Sequence, residues 1–489
     1  MSAVAEFPTV ASLLRAFSRG DLTPEDATEA ALARIEATEP TLNAFQLVDE
    51  AGARQAAAAA TRRWAAGQPL GPMDGIPLSI KDIVATKDWP TLSGSRTVDA
   101  NGPWDTDAPP AARLREGGAV ILGKTTTPEF GWKGMTDSPL AGITRNPWNP
   151  AHTPGGSSGG AAASLAAGVG AIAHGTDGGG SIRIPANYCG LFGIKPTFGR
   201  VPHAPNERPF STLSSSGPIA RTVEDAALFL NVITQPDDRD WRALPPDGRD
   251  YRIGLDDGVT GLRLAYAPAL GGAEVAPEVL SATDEAVRIF KDLGAAVENV
   301  GAVIEPLRPR FESYWIAGFA TRLRGMSEEK RDMLEPAFRE LAEAGLDVDI
   351  GEYLRGEEER TRLGVEFATL HRDFDLLLTP TQPTLPPTVE TRYHSPAFDR
   401  WRHAVPFTVP FNLTGQPAAS MLCGISDNGA SGGVSRGTSG GLPIGLQIVG
   451  PKYADHMVLR AARALESALA LPLPPAALRD SLAAIVAGN

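Results

Sequence analysis

At 489 residues the chain can bury a large core, and 42% hydrophobic with 21% charged residues describes an ordinary globular protein. Its 45 Lys and Arg against 58 Asp and Glu leave a net charge of -13, a surface that repels phosphate backbones and anionic membranes, so neither nucleic-acid nor membrane binding is expected. Cys189 and Cys423 are too few for a disulfide framework or a zinc site, and no basic start leads into an apolar run; buried thiols in a reducing, cytoplasmic setting are expected.

Val10, Leu13, Leu14 and Phe17 recur at helical spacing and predict a short amphipathic helix. Thr23-Pro24-Glu25-Asp26 is a second helix start, with a capping hydroxyl, a proline at the first helical position and acids in the first turn. The alanine-rich stretch to Ala66 continues it as helix. Gly75-Ile76-Pro77 then leads into an apolar strand at 78–84 that carries Lys81, and a helix at 110–116 precedes a buried strand at 119–122. Residues 161–173 read as a buried helix running into a strand, far short of the ~20 apolar residues of a membrane span. Thr222-Val223-Glu224-Asp225 opens another helix, followed by a strand at 262–267 and a helix at 278–293. Strands at 374–378, 418–422 and 444–449 and a closing helix at 457–469 complete the pattern. This alternation argues an α/β fold with helices on both faces of a sheet. Residues 305–364 depart from it: they are helical and charge-rich, with Tyr314, Trp315 and Phe319 near the start, and read as a helical insertion or lid. Residues 426–441 are dominated by Gly and Ser and read as a flexible loop.

Several motifs fail on context. Gly118-Ala119-Val120-Ile121-Leu122-Gly123-Lys124-Thr125 fits the P-loop pattern, but its middle is a hydrophobic strand instead of a polar, phosphate-wrapping turn. Gly168-Val169-Gly170-Ala171-Ile172-Ala173 resembles a dinucleotide turn with helix and strand in the wrong order. Gly155-Gly156-Ser157-Ser158-Gly159 fits G-x-S-x-G, which would make Ser157 or Ser158 the nucleophile of an α/β-hydrolase-type esterase. That elbow needs a buried strand just before the serine, and His152-Thr153-Pro154 is no such strand. The seven histidines show no metal-ligand spacing, and neither a metal nor another cofactor is expected.

The chemistry concentrates between Pro154 and Ser181. Two clusters, Gly155-Gly156-Ser157-Ser158-Gly159-Gly160 and Gly175-Thr176-Asp177-Gly178-Gly179-Gly180-Ser181, flank a small-residue helix and a strand. Glycine costs backbone entropy, so two such clusters around serines point to closely approached backbone. This stretch resembles the amidase signature family. The match continues through Ile182-Arg183-Ile184-Pro185, Cys189-Gly190, Lys195-Pro196-Thr197 and Gly199-Arg200-Val201, with Lys81-Asp82 upstream and Leu442-Pro443-Ile444-Gly445-Leu446-Gln447 downstream. The resemblance implies one large amidase domain over 1–489, a mixed central sheet and a signature core over 66–225. It implies hydrolysis of amide-type bonds by an acyl-enzyme on Ser181, with Ser157 bridging Ser181 to Lys81 and a cis bond preceding Ser157. The backbone N–H groups of Gly178, Gly179, Gly180 and Ser181 would form the oxyanion hole, and Ser158, Asp177 and Arg183 would support them. Gly178 departs from many relatives, which carry a side chain there; this leaves the oxyanion loop more flexible or the pocket roomier, without disabling it.

The physics agrees with those roles. A serine needs a base near neutral pH, and Lys81 can serve only as the neutral amine, which burial on an apolar strand favours. Protonating the leaving nitrogen matters because an amide nitrogen leaves poorly as an anion. The expected partners are a small-molecule amide-type substrate and water, with no basic cluster near the serines to demand a carboxylate. Phe130, Trp132, Met135, Tyr314, Trp315 and Phe319 are candidates to wall an apolar pocket. Anilides, aliphatic amides, carbamates including urethanes, and esters all fit the chemistry. The family also holds a subunit that supplies ammonia for transamidation of aminoacyl-tRNA. Pro202-His203-Ala204-Pro205 and the acidic charge argue against that role. A catalytically idle subunit is the remaining alternative, against which the intact Lys81, Ser157 and Ser181 argue.

Overall fold

In the computed structural model the chain is described over residues 7–204, 212–306, 312–391, 405–426, 434–435, 441–469 and 476–487. The strands are β1 (Phe45–Val48), β2 (Pro77–Lys81), β3 (Val120–Thr125), β4 (Asp137–Ser138), β5 (Gly142–Ile143), β6 (Ile172–Asp177), β7 (Phe192–Lys195) and β8 (Ser215–Ala220). They continue with β9 (Arg263–Tyr266), β10 (Ala296–Asn299), β11 (Leu376–Pro380), β12 (Ala418–Ser426), β13 (Val434–Ser435) and β14 (Pro443–Val449). All but the β4-β5 pair join one twelve-stranded sheet in the order β1-β3-β2-β6-β8-β7-β12-β14-β11-β9-β10, with β13 on β12. The sheet is mixed: β2 runs parallel to β3 and β6, whereas β6-β8-β7-β12-β14 is antiparallel throughout. Its central strands are buried along their whole length because helices cover both faces.

The helices are α1 (Val10–Arg19), α2 (Pro24–Leu42), α3 (Glu50–Ala65), α4 (Pro109–Glu116), α5 (Gly159–Ala166), α6 (Arg183–Tyr188), α7 (Val223–Ile233) and α8 (Pro277–Asp292). There follow α9 (Glu312–Leu323), α10 (Glu328–Asp332), α11 (Pro336–Ala344), α12 (Ile350–Asp373), α13 (Val409–Leu413), α14 (Asp455–Leu469) and α15 (Ala476–Ala487). Phe229 of α7, Phe290 of α8 and Leu459 of α14 are buried in one cluster with the sheet residues Ile194, Met421 and Ile448. Ala161, Ala162 and Leu165 of α5 and Ala186 of α6 form the cluster on the other face, with Ala173 and Ile219. Small residues let α5 and α6 lie close to the sheet, which brings the loops before them to the strand ends.

Most of the expected elements are present, and the differences have local causes. The alanine-rich helix is interrupted: Asn43, at φ 50°, ends α2, and β1 pairs antiparallel with β3 before α3 begins. The helical insertion runs on to Asp373 through α12, past the expected end at 364. The chain does not close with α14, since α15 packs Leu478, Leu482 and Ile485 against Leu32 and Ile35 in another buried cluster. Of the expected loop at 426–441, residues 427–433 and 436–440 lie outside the described residues, and Ser426 belongs to β12. The P-loop-like run lies in β3, and a side chain on Gly123 (φ 155°) would strike the Leu47 carbonyl oxygen. That glycine serves strand packing. Among the described residues no helix is long and apolar enough to cross a membrane.

Candidate active site

Lys81 ends β2 with its side chain fully buried. Its Nζ lies 2.7 Å from Ser157 Oγ and 3.0 Å from Thr176 Oγ1 of β6. The neighbouring Asp82 is engaged elsewhere, 3.5 Å from the equally buried Lys124 Nζ, which also donates to the Val84 carbonyl and Thr91 Oγ1. Burial pushes the Asp82 carboxyl up to about 6 against the pull of that cation. The two buried lysines of neighbouring strands therefore face different groups: Lys81 a hydroxyl pair, Lys124 a carboxylate.

The first Gly/Ser loop is built to present Ser157. The Gly156–Ser157 peptide bond is cis. A side chain on Gly156 would meet the Met135 backbone at 2.7 Å, and one on Gly131 would lie 3.1 Å from Ser157 Oγ. Thr136 Oγ1 donates to the Gly155 carbonyl and accepts from the Gly159 N–H. Ser158 Oγ donates to the Thr176 carbonyl and accepts from the Thr176 N–H, tying the loop to β6. The Ser158 N–H in turn donates to the Ser181 carbonyl at 3.2 Å, which joins the two loops. Among the described residues Ser181 Oγ makes no hydrogen bond to Ser157, so only the Ser157–Lys81 leg of the expected relay is a formed contact. Hydrogen bonds of this kind commonly tighten only with substrate in place.

The second loop hangs on one buried ion pair. Arg183 donates from Nε and Nη2 to the two oxygens of Asp177, each at 2.9 Å, with both side chains wholly buried. Its remaining donors go to the Thr408 carbonyl, Gln447 Oε1 and Asn412 Oδ1. Asn412 Nδ2 returns a bond to Asp177 Oδ1. Burial alone would raise the Asp177 carboxyl, but the Arg183 charge and hydrogen bonds, with Lys195 and Asn412, hold it well below the usual carboxylate range. Asp177 Oδ1 also accepts the Gly180 N–H at 2.7 Å. This corrects one expectation: the Gly180 amide is committed to Asp177 and shapes the loop. Among the described residues the N–H groups of Gly178, Gly179 and Ser181 have no protein acceptor. Thr408 Oγ1 donates to the Gly179 carbonyl, and a side chain on Gly180 (φ 126°) would strike it at 2.5 Å.

The aromatic candidates come together away from solvent. Phe130, Trp132, Trp315 and Phe319 are buried in one cluster, linked through Phe338 of α11. Trp132 Nε1 and Lys133 Nζ both donate to the Glu335 carboxylate, and the Glu335 N–H donates to Glu129. Glu335, just before α11, is thus fastened to the segment 129–133. Met135 is buried with its backbone against Gly156. The side chain of Tyr314 lies outside the described residues.

Sequence reasoning passed over Thr176, although it stands inside the Gly175-Thr176-Asp177 motif. It also missed Thr408, Asn412, Gln447 and Glu335, which carry no local pattern. A family model described as Amidase matches residues 26–459. The chain belongs to the amidase signature family. It is an amidase, a hydrolase of carbon–nitrogen bonds other than peptide bonds. A glutamyl-tRNA(Gln) amidotransferase subunit of Chloroflexus aurantiacus is 36% identical over 485 residues, covering 94% of this chain and 96% of its own. The acylamidase of Rhodococcus erythropolis is 34% identical over 461 residues, covering 91% and 92%. The crystal structure of a bacterial aryl acylamidase of the amidase signature family superposes with a TM-score of 0.86 at 30% identity, covering 99% of both chains. The large mixed sheet flanked by helices is thus the fold of this amidase family.

Proposed function

We propose that this amidase cleaves small-molecule amides and aryl acylamides through an acyl-enzyme on Ser181, with Ser157 and Lys81 as the proton relay. The observation that carries the reading is the fully buried Lys81 Nζ at 2.7 Å from Ser157 Oγ, in a loop hydrogen-bonded to the backbone of Ser181. Ser181 Oγ bonds to the scissile carbonyl carbon while its proton passes to Ser157 and the Ser157 proton to neutral Lys81. The carbonyl oxygen takes up negative charge facing the N–H groups of Gly178, Gly179 and Ser181. Collapse breaks the C–N bond, and the proton returns through Ser157 to the leaving nitrogen. Water then attacks the ester by the same relay. Removing one such oxyanion donor costs ~3–4 kcal/mol in enzymes of this kind. Thr176 Oγ1 fixes the second contact of Lys81 and is a positioning residue. Residues 66–225 form the catalytic unit of a single domain, and the helices from α9 to α12 form its lid.

Carbamates, urethanes and esters present the same carbonyl and fall within the proposed range. A matched pair decides this extension: brisk anilide hydrolysis with no product from the corresponding carbamate removes it. A second reading, an ammonia-supplying component of an amidotransferase, is favoured by the 36% identity to the Chloroflexus aurantiacus protein. Glutamine hydrolysis that exceeds anilide hydrolysis would select it.

The test of the main reading is intact-protein mass spectrometry after fluorophosphonate treatment. One adduct is expected on wild type, none on Ser181→Ala, and labelling slowed ~10²–10⁴-fold in Lys81→Ala, the usual span for loss of a general base. An adduct that survives Ser181→Ala and disappears in Ser157→Ala transfers the nucleophile to Ser157. No adduct on wild type favours a protein without catalytic turnover.

A further inference from the structure

The glycines of the oxyanion loop face an indole. A methyl built on Gly178 would stand 3.7 Å from the Trp315 ring, and one on Gly179 would stand 3.5 Å from it and 3.6 Å from Val409 Cγ2. These are ordinary van der Waals distances, so the gap between the ring and the glycine backbone has room for one methyl group, and the ring flanks the peptide planes whose N–H groups have no protein acceptor. Neither Trp315 nor Ser181 is sealed: they keep 7% and 8% of their surface exposed. Both groups that a methyl on Gly179 would touch, an indole and an isopropyl group, are apolar. Trp315 is held edge-on by Phe319, at 5.6 Å between ring centroids and 87° between planes, and Phe319 by Phe338 at 5.1 Å and 83°. The wall is therefore stiff as well as flat.

The direction of the reaction says which half of the substrate meets this wall. The leaving nitrogen must receive its proton from Ser157, so it lies on the Lys81 side of Ser181. The carbonyl oxygen lies at the free N–H groups. The remaining substituent, the acyl group, is then turned from the relay towards the glycine loop and its covering ring. We infer that Trp315 is the specificity-determining residue for the acyl half of the substrate, and that this half is flat or extended and apolar, such as an aryl, arylacetyl or medium alkyl chain. The inference rests on the assignment of Ser181 as nucleophile.

The test uses two series of substrates with wild type, Trp315→Ala and Trp315→Phe. The first varies the acyl group (acetyl, hexanoyl, phenylacetyl) on 4-nitroaniline; the second keeps acetyl and varies the amine. Filling or emptying an apolar pocket changes kcat/KM by roughly 10–200-fold. In Trp315→Ala the phenylacetyl-to-acetyl ratio of kcat/KM is expected to fall at least tenfold, mainly through KM, and Trp315→Phe is expected to restore most of it. Acyl chains losing activity in equal proportion would overturn the inference and make Trp315 a structural support of the loop. A ratio that shifts only along the amine series would overturn it as well. Turnover that survives in Ser181→Ala defeats the catalytic assignment instead, so the two failures are distinct.

Discussion

The catalytic loops and the helices over them are held by different physics. Around Ser157 and Ser181 the polar groups are buried, and each hydrogen bond fixes another: Arg183 alone reaches Asp177, Thr408, Asn412 and Gln447. The segment from α9 to α12 has an aromatic floor, but its outer faces are laced by exposed ion pairs. Arg339 reaches the exposed Glu328, Asp332 and Glu343. Exposed pairs of this type are screened by water and contribute little, whereas a buried pair robbed of one partner leaves a stranded charge. The difference teaches where precision is concentrated: the loops are fixed by buried polar contacts that depend on one another, and the outer face of the helices is held by pairs that can be lost at small cost.

The sharpest break of that contrast is Arg183→Met. It leaves Asp177 charged and buried, and the expected loss is about 3–5 kcal/mol in unfolding free energy, with fluorophosphonate labelling abolished. A denaturant titration that finds less than ~1 kcal/mol would mean that the loop is held by something else. Next in size is Glu335→Ala, which frees Trp132 and Lys133 from the insertion. Stability should fall by about 1–3 kcal/mol, and hydrogen exchange in 312–344 should rise more than in 172–195. Arg339→Ala is the control, expected to leave the unfolding midpoint where it is. Equal exchange in both segments would erase the distinction between them.

The remaining effect is a slope with pH. Burial pushes the Glu129 carboxyl up to about 7, against hydrogen bonds from Ser95 Oγ and the Glu335 N–H that pull it down. An ordinary glutamate titrates at 4.5, so between these values the folded protein holds a proton that the unfolded chain has released. Its stabilising contribution is full below pH 4.5 and is lost as pH rises through about 7. Glu129→Gln removes that dependence, so the stability of the variant relative to wild type should climb across this window and then level. Parallel curves for the two proteins would place the titration elsewhere.

The loops were legible in the sequence because their chemistry is contiguous: glycines that only a close approach requires stand beside the serines they serve. Lys81 was singled out by the resemblance to the amidase signature family, and its apolar strand agreed with burial. The clamp on Asp177 was not, because Asn412 and Gln447 are met 235 and 264 residues away from the groups they touch. No periodicity encodes a contact across the sheet. The commitment of Gly180 was hidden for another reason. A run of three glycines shows that backbone is presented, but not which amide an acidic neighbour will take. Nothing local in the sequence joined Asp82 to Lys124; the pairing of β2 with β3 brings them together.

The clamp also bears on how the enzyme comes to exist in a cell. Lys81, Ser157 and Ser181 leave the ribosome early, but the groups that hold Arg183 and Asp177 in place arrive only with Thr408, Asn412 and Gln447. The same is true of the sheet, whose β7 finds its neighbour β12 only after Ala418 has been made. A nascent chain stopped before residue 405 carries Lys81, Ser157 and Ser181 without the outer partners of Arg183. Synthesis itself thus acts as the safety catch, and the clamp on the Ser181 loop is completed by about the last sixth of its own polypeptide.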